Sequence, residues 1–201
     1  MLCRSFAGYI KARQHKMHLC FTPEDVASAI SGDSHRLIAI DGFQGSGKTT
    51  LARTLGKLLN MPVVSADDYL NRNQGAFFGH LRIEELASAL MNRGPCIFEG
   101  VCTLQILEAV GDQPNVLIYV KRMAIWGWAD EDELGNVLAT PNGSPPRALE
   151  AAEQLDPLQI ALQGLWGEVA QYHRRYRPHE FAHVLYERSA VKPLAQAARQ
   201  R

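Results

Sequence analysis

Residues 42 to 49 read Gly42-Phe43-Gln44-Gly45-Ser46-Gly47-Lys48-Thr49, a Gly-x-x-x-x-Gly-Lys-Thr run. Successive backbone N–H groups can turn inward around a phosphate only where unusual backbone angles are allowed and no Cβ intrudes, so glycines punctuate the run. Lys48 can then reach β- and γ-phosphates, and the Thr49 hydroxyl can ligate Mg²⁺. The helix expected from Lys48 onward, with Thr50 in its first turn, adds unpaired N–H groups and the positive end of its dipole. An apolar run, Leu37-Ile38-Ala39-Ile40-Asp41, leads in, as a strand before such a loop requires. A glycine-rich turn with a surface lysine would need neither neighbour. The pattern predicts a nucleoside triphosphate site over residues 42 to 50, with ATP and Mg²⁺ as its ligands.

Two other places could do chemistry beside it. Asp67 and Asp68 follow Val63-Val64-Ser65-Ala66, so they stand at the C-terminal end of a predicted strand. In an open parallel sheet ligands sit at that end. A carboxylate there can accept the proton of a substrate hydroxyl as it attacks the γ-phosphorus, and can hold that oxygen in line. Paired aspartates are also ordinary turn and cap residues. Glu99 closes the apolar run Cys96-Ile97-Phe98, and burying a lone carboxylate is costly. Facing the nucleotide, Glu99 could hold Mg²⁺ through a bound water or contact the acceptor. Otherwise it pairs with a cation at the sheet edge. Gly100 suits a close backbone approach at a strand end.

The elements that must position these groups alternate. Strands are predicted over 36–41, 62–66, 96–99, 115–120 and 182–186. Helices are predicted from Thr22-Pro23 to about Ile30, from Lys48 to Leu59 with Leu51, Leu55, Leu58 and Leu59 on one face, around Ile83, Leu86 and Leu90, and over 103–110. Asn115-Val-Leu-Ile-Tyr-Val120 is apolar throughout, as a buried parallel strand requires. A helical hairpin or lid is expected to fill much of 123–176. The pattern implies a parallel sheet with helices on both faces.

Taken in order, Asp41-Gly-Phe-Gln-Gly-Ser-Gly-Lys-Thr-Thr50, Ser65-Ala-Asp-Asp-Tyr69 and Phe98-Glu-Gly-Val101 resemble the uridine kinase and phosphoribulokinase-like group of P-loop kinases. The resemblance covers about residues 36 to 122 and returns at Tyr176-Arg177-Pro178 and 181–186. It implies a three-layer P-loop fold with a five-stranded parallel sheet and a helical lid at 123–150. It also implies a kinase moving the γ-phosphoryl group of ATP to a hydroxyl of a small, nucleoside-like acceptor. On this reading Asp67 is the catalytic base, and Asp68, Tyr69 and Glu99 line the acceptor. That group carries an arginine-rich lid, and here the match is partial. Lys121 and Arg122 fit its start, Ile125 and Trp126 stand where later polar residues would, and 128–133 is acidic. Arg122 is the first candidate for the catalytic arginine, and Arg174, Arg175 and Arg177 form a second basic cluster or a solvated helix end. The acidic run reads as a solvated face, and Trp126, Trp128 and Trp166 as packing residues. A nucleotide-driven regulatory protein and a sugar or nucleotide-sugar kinase are the alternatives.

Composition narrows the partners. Lys plus Arg and Asp plus Glu each number 21 in 201 residues, so no overall field favours nucleic acid or a membrane surface. No apolar stretch is long enough to span a bilayer. Cys3, Cys20, Cys96 and Cys102 form no C-x-x-C pair, which suits reduced thiols and a cytoplasmic setting. His173, His179 and His183 straddle Pro178 and offer no metal-ligand spacing. Residues 1–21, with Arg4, Lys11, Arg13 and Lys16 and no acidic residue, read as a basic extension before one domain at 22–201. A homodimer is compatible with all of this.

Overall fold

Leu37 and Ala39 point to one side of their strand and Ile38 and Ile40 to the other, and both sides are covered. This strand is β2 (Leu37–Gly42), all six of whose residues are buried. It lies inside a sheet that the computed structural model builds over the described residues 17–31, 35–71, 77–131 and 157–189. The other strands are β1 (His18–Cys20), β3 (Val63–Ser65), β4 (Cys96–Glu99), β5 (Val116–Ala124), β6 (Gly127–Trp128) and β7 (Val184–Ser189). Their order is β1-β7-β5-β2-β4-β3, all parallel, with β6 antiparallel to β5.

The helices are α1 (Pro23–Ala29), α2 (Lys48–Leu58), α3 (Ile83–Asn92), α4 (Thr103–Val110), α5 (Pro157–Tyr176) and α6 (Pro178–Phe181). Val26 and Ile30 at α1 and Leu51, Ala52 and Leu55 of α2 pack on the Ile38–Ile40 face. Leu86 and Leu90 of α3, Leu104, Ile106 and Leu107 of α4, and Val169, Tyr172 and Tyr176 of α5 pack on the other. This is the three-layer α/β architecture of a P-loop protein. The chain leaves β2 towards α2 and β3 on one side and later reaches β5 on the other. The ends of β2, β4 and β5 therefore open a crevice at a switch point, where ligands of such sheets bind.

The expected N-cap is present: Thr22 Oγ1 accepts from the Asp25 N–H at 3.1 Å, and Asp25 accepts from the Thr22 N–H at 3.1 Å. This reciprocal box satisfies two donors that a helix start otherwise leaves open.

Four expectations change. The sheet has two strands beyond the five predicted, because residues 18–20 join it as β1 and the chain turns back after β5 as β6. The domain thus begins before residue 22, while residues 1–16 lie outside the described residues. Leu58 is 48% exposed instead of sharing the buried face with Leu51 and Leu55. The expected helical lid starts as a β-hairpin, with Met123 paired to Trp128 and Ala124 to Gly127. Residues 132–150 of that predicted lid lie outside the described residues.

Candidate nucleotide and acceptor site

Between β2 and α2 the chain turns through Gly42, Gly45 and Gly47 at φ of +149°, +74° and +102°. Gly47 is the N-cap of α2, in a conformation that an L-residue with a Cβ adopts only under strain. Ser46 Oγ is buried in this loop with no hydrogen-bond partner among the described residues. A buried hydroxyl, left-handed glycines and an open helix N-terminus together make a cradle suited to phosphate.

Lys48 is buried and donates from Nζ to the Phe43 carbonyl at 2.8 Å. Burial holds its ammonium below the usual lysine range, opposed by the charges of Asp41, Glu99 and Asp67. Phe43 contributes that carbonyl, while its ring packs in the core beside His173. Gln44, Gly45 and Thr50 are exposed at the mouth.

Glu99, 2% exposed at the end of β4, gathers the neighbouring hydroxyls. Thr49 Oγ1 lies 3.2 Å from both of its carboxylate oxygens, and Ser65 Oγ donates to Oε1 at 2.6 Å. β4 lies between β2 and β3, so the alternative of a sheet-edge ion pair does not hold. One carboxylate and two hydroxyls beside a phosphate cradle are hard oxygen donors of the kind Mg²⁺ takes together with phosphate oxygens and water. The residues fit that ion.

Asp67 and Asp68 sit in a 3₁₀ turn, Ala66–Tyr69, directly after β3, and both are exposed. Asp67 is near enough to Lys48 to act on its charge. The turn is drawn in by a close approach: a Cβ on Gly100 would lie 2.7 Å from the Ala66 Cβ. Arg82 Nη2 donates to the Asp68 carbonyl at 2.9 Å and braces the turn from outside. Tyr69 is partly buried against the core. Glu99 thus touches the start of α2 through Thr49 and Asp67 stands exposed after β3, whereas Asp68 and Tyr69 are placed by backbone and packing contacts.

Asp41, in sequence only the last residue of the lead-in strand, is central. It is fully buried, accepts from the Gly42 N–H at 2.6 Å, and receives the hydroxyl of Tyr172 from α5. Burial raises its carboxyl to about 6. Tyr172 in turn lies 3.3 Å from the Leu104 N–H. The start of the loop is therefore tied to α4 and α5 by one carboxylate. Next to it, His173 accepts from the Tyr119 hydroxyl at Nε2 (3.0 Å) and donates from Nδ1 to the Val169 carbonyl (2.7 Å), the only polarity a carbonyl allows. Burial pulls its pKa down to about 4. The His179 ring lies against His173 and Trp128, while His183 binds the Leu117 N–H through Nδ1.

The cations settle differently from expectation. Arg122 Nη2 is 2.5 Å from Asp130, whose side chain is 1% exposed. The acidic run is therefore not a solvated face at Asp130, because the β5–β6 hairpin carries that carboxylate inward. Glu131 ends the described part of the run. Arg122 still borders the loop, with Nη1 4.0 Å from where a Gly45 Cβ would be. Arg175 and Arg177 instead pair with Glu108 and Glu180. Trp128 packs edge-on to Tyr119 with Lys121 Nζ 4.4 Å from its ring centroid. Trp126 is 83% exposed, and the Trp166 side chain lies outside the described residues. Cys20, Cys96 and Cys102 are buried free thiols.

Arg188 was missed. β7 runs to Ser189 and not to Tyr186, and this brings Arg188 Nη1 to 3.2 Å from the Ser46 carbonyl. A cation just past a predicted parallel strand was the available signal, since that end faces the crevice.

No protein-family model matches the sequence, and no curated protein is significantly similar to it. Among solved structures, a "possible uridine kinase" from Bacillus stearothermophilus is similar at 16% identity, covering 82% of this chain and 96% of that one, with a TM-score of 0.49. The shikimate kinase of Acinetobacter baumannii in complex with shikimate is similar at 17% identity, over 86% of this chain and 93% of that one, with a TM-score of 0.43. The shikimate kinase of Bacteroides thetaiotaomicron is similar at 13% identity, over 77% and 86%, with a TM-score of 0.34. At these values they carry nothing about an acceptor, and the P-loop fold rests on the sheet order and the loop geometry.

Proposed function

We propose that the chain is an ATP-dependent kinase that phosphorylates a hydroxyl of a small molecule. The observation that carries this reading is the Ala66–Tyr69 turn, which puts the exposed Asp67 directly after β3, where Ser65 stands in register with the Glu99 that gathers Thr49 and Ser65. A pure nucleotide switch has no need of an exposed carboxylate at that strand end.

Bound Mg·ATP would supply the phosphoryl group and the metal's charge. Gly42, Gly45, Ser46 and Gly47 would hold its phosphates through the loop backbone, and Thr49 and Glu99 would hold the metal, Glu99 through water. Lys48 neutralises charge as it develops on the phosphate oxygens. Asp67 accepts the proton of the acceptor hydroxyl and keeps that oxygen in line. A nucleoside-like alcohol is the first acceptor to try, on the resemblance carried by residues 65–69 and 98–101.

The test is an ADP-release screen with nucleosides, sugars, nucleotide-sugars and pantothenate-like alcohols. One of them should raise turnover in the wild type. Asp67→Asn should lose that stimulation by about 10²- to 10⁴-fold and still bind ATP. Slow turnover insensitive to every small molecule but raised by a protein would replace the kinase with a regulatory nucleotidase.

A further inference from the structure

We propose that Arg188 is a ligand of the nucleotide's phosphate chain, forming with Arg122 a pair of guanidinium groups mounted on the sheet. This rests on the nucleotide site proposed above and names cations of that site that the predicted lid does not provide.

Past Gly42, where β2 ends, β5 and β7 continue together: Lys121, Arg122 and Met123 pair with Glu187, Arg188 and Ser189. Partners in register on adjacent parallel strands emerge on the same face, so Arg122 and Arg188 leave side by side. That face overlooks the loop. A Cβ on Gly45 would lie 4.0 Å from Arg122 Nη1, and a Cβ on Gly47 would lie 2.7 Å from Arg188 Nη1 and 2.9 Å from its Cδ. The missing Cβ of Gly47 is what lets the arginine stem lie down on the loop.

Arg188 differs from the arginines that are held in ion pairs. Arg36, Arg82, Arg122, Arg175 and Arg177 each have a carboxylate partner. Arg188 has none among the described residues, and of its five donors one is engaged, with the Ser46 carbonyl. A guanidinium held on one side by the loop backbone, with the rest of its fork unused, suits the bidentate geometry of phosphate oxygens. Asp130 performs the corresponding task for Arg122, fixing it from behind. Because both cations are carried by strands, they are in place before an acceptor arrives, and ATP should bind without one.

The experiment uses the full chain and measures binding of Mg·ATP, Mg·ADP and inorganic tripolyphosphate, with the nucleotide-free thermal midpoint as a second readout. Arg188→Met keeps the stem and removes the charge. It should weaken Mg·ATP and tripolyphosphate by about tenfold or more, the loss expected for a charge-assisted contact, with the midpoint unmoved. Arg188→Lys should recover part of that affinity. Wild-type affinity in Arg188→Met, while Lys48→Ala loses it, overturns the assignment of Arg188 alone. Lost affinity accompanied by a fall in the midpoint assigns Arg188 to packing on the loop and also overturns it. Unaltered binding in both variants removes the nucleotide site, and this proposal with it.

Discussion

The β2–β3–β4 side of the crevice and the β5–β6–β7 side reach the same loop by different routes. On the first side each chemical group lies within or one turn beyond a short strand: Lys48 and Thr49 after β2, Asp67 after β3, Glu99 at the end of β4. Their partners are hydroxyls and main chain. On the second side the strands themselves run on over the loop, and their charges are held by residues from other elements, Arg122 by Asp130 and Arg188 by the Ser46 carbonyl. The first side is a set of local motifs placed by sheet order. The second is a scaffold in which, at the Arg122–Asp130 pair, position and fold stability depend on the same contact, so damage to that pair should be felt even with no nucleotide present.

The largest effect belongs to the first side. Lys48→Ala should cut turnover by about 10³-fold or more, since it removes a charge aimed at the transferring group, and ADP release in the presence of the stimulating acceptor measures it. On the second side the contrast lies in stability. Arg122→Met strands the buried Asp130 carboxylate and should cost about 3 kcal/mol in a urea titration. Asp130→Asn leaves a guanidinium whose side chain is already 40% exposed, so water can take over, and it should cost about 1 kcal/mol. Equal losses from the two would show that Asp130 is not the dominant burden.

Gly100→Ala sharpens the first side. The added methyl meets the Ala66 Cβ at 2.7 Å, and shifting that turn should cost about 1–3 kcal/mol. Acceptor-dependent turnover should fall while the affinity for ATP stays as it was, because Asp67 rides on the turn and the loop does not. Loss of ATP affinity in this variant would mean that the two halves of the site are not separable.

The smallest effect needs a pH series, and it involves one group beside the loop and one on α5. His173 is lowered from 6.5 to about 4 in the fold, so its contribution is complete above pH 6.5 and is lost as pH falls towards 4. Asp41 is raised from 3.8 to about 6, so its burial costs stability above pH 6 and that cost is relieved as pH falls towards 4. Over pH 6 to 4 the two trends oppose each other. Asp41→Asn removes the relief and should make the urea midpoint fall more steeply with acid than in the wild type. An identical slope would exclude titration of Asp41 in that window.

The pattern of success in reading the sequence follows the same division. Strands β2, β3, β4, β5 and β7, the Thr22 cap and α4 over 103–110 were legible because each is a continuous run of one periodicity with its own punctuation. The turning glycines of the loop, the position of Asp67 just past β3 and that of Glu99 at the end of β4 followed from motif and strand end together. Met123 and Ala124 read as the start of a lid because, past the buried pattern of residues 116–120, partly exposed residues look alike in a strand and in a helix. Asp130 read as solvated because its partner is eight positions away across a hairpin. The roles of Asp41 and Tyr172 depend on residues 131 positions apart, a distance at which periodicity says nothing.

β1 is three residues long and among the described residues pairs with β7 alone, yet it decides what kind of surface the described sheet shows on that side. Its His18 N–H bonds the His183 carbonyl at 2.9 Å, and Cys20 is buried beneath it. In a chain begun at residue 22, β7 would become the rim of the sheet, and its N–H and C=O groups from Val184 to Tyr186 would lie open to another molecule. Open rims of this kind invite edge-to-edge association. Such a shortened chain should self-associate with rising concentration, and the strand it would recruit into aggregates is the one that ends in Arg188.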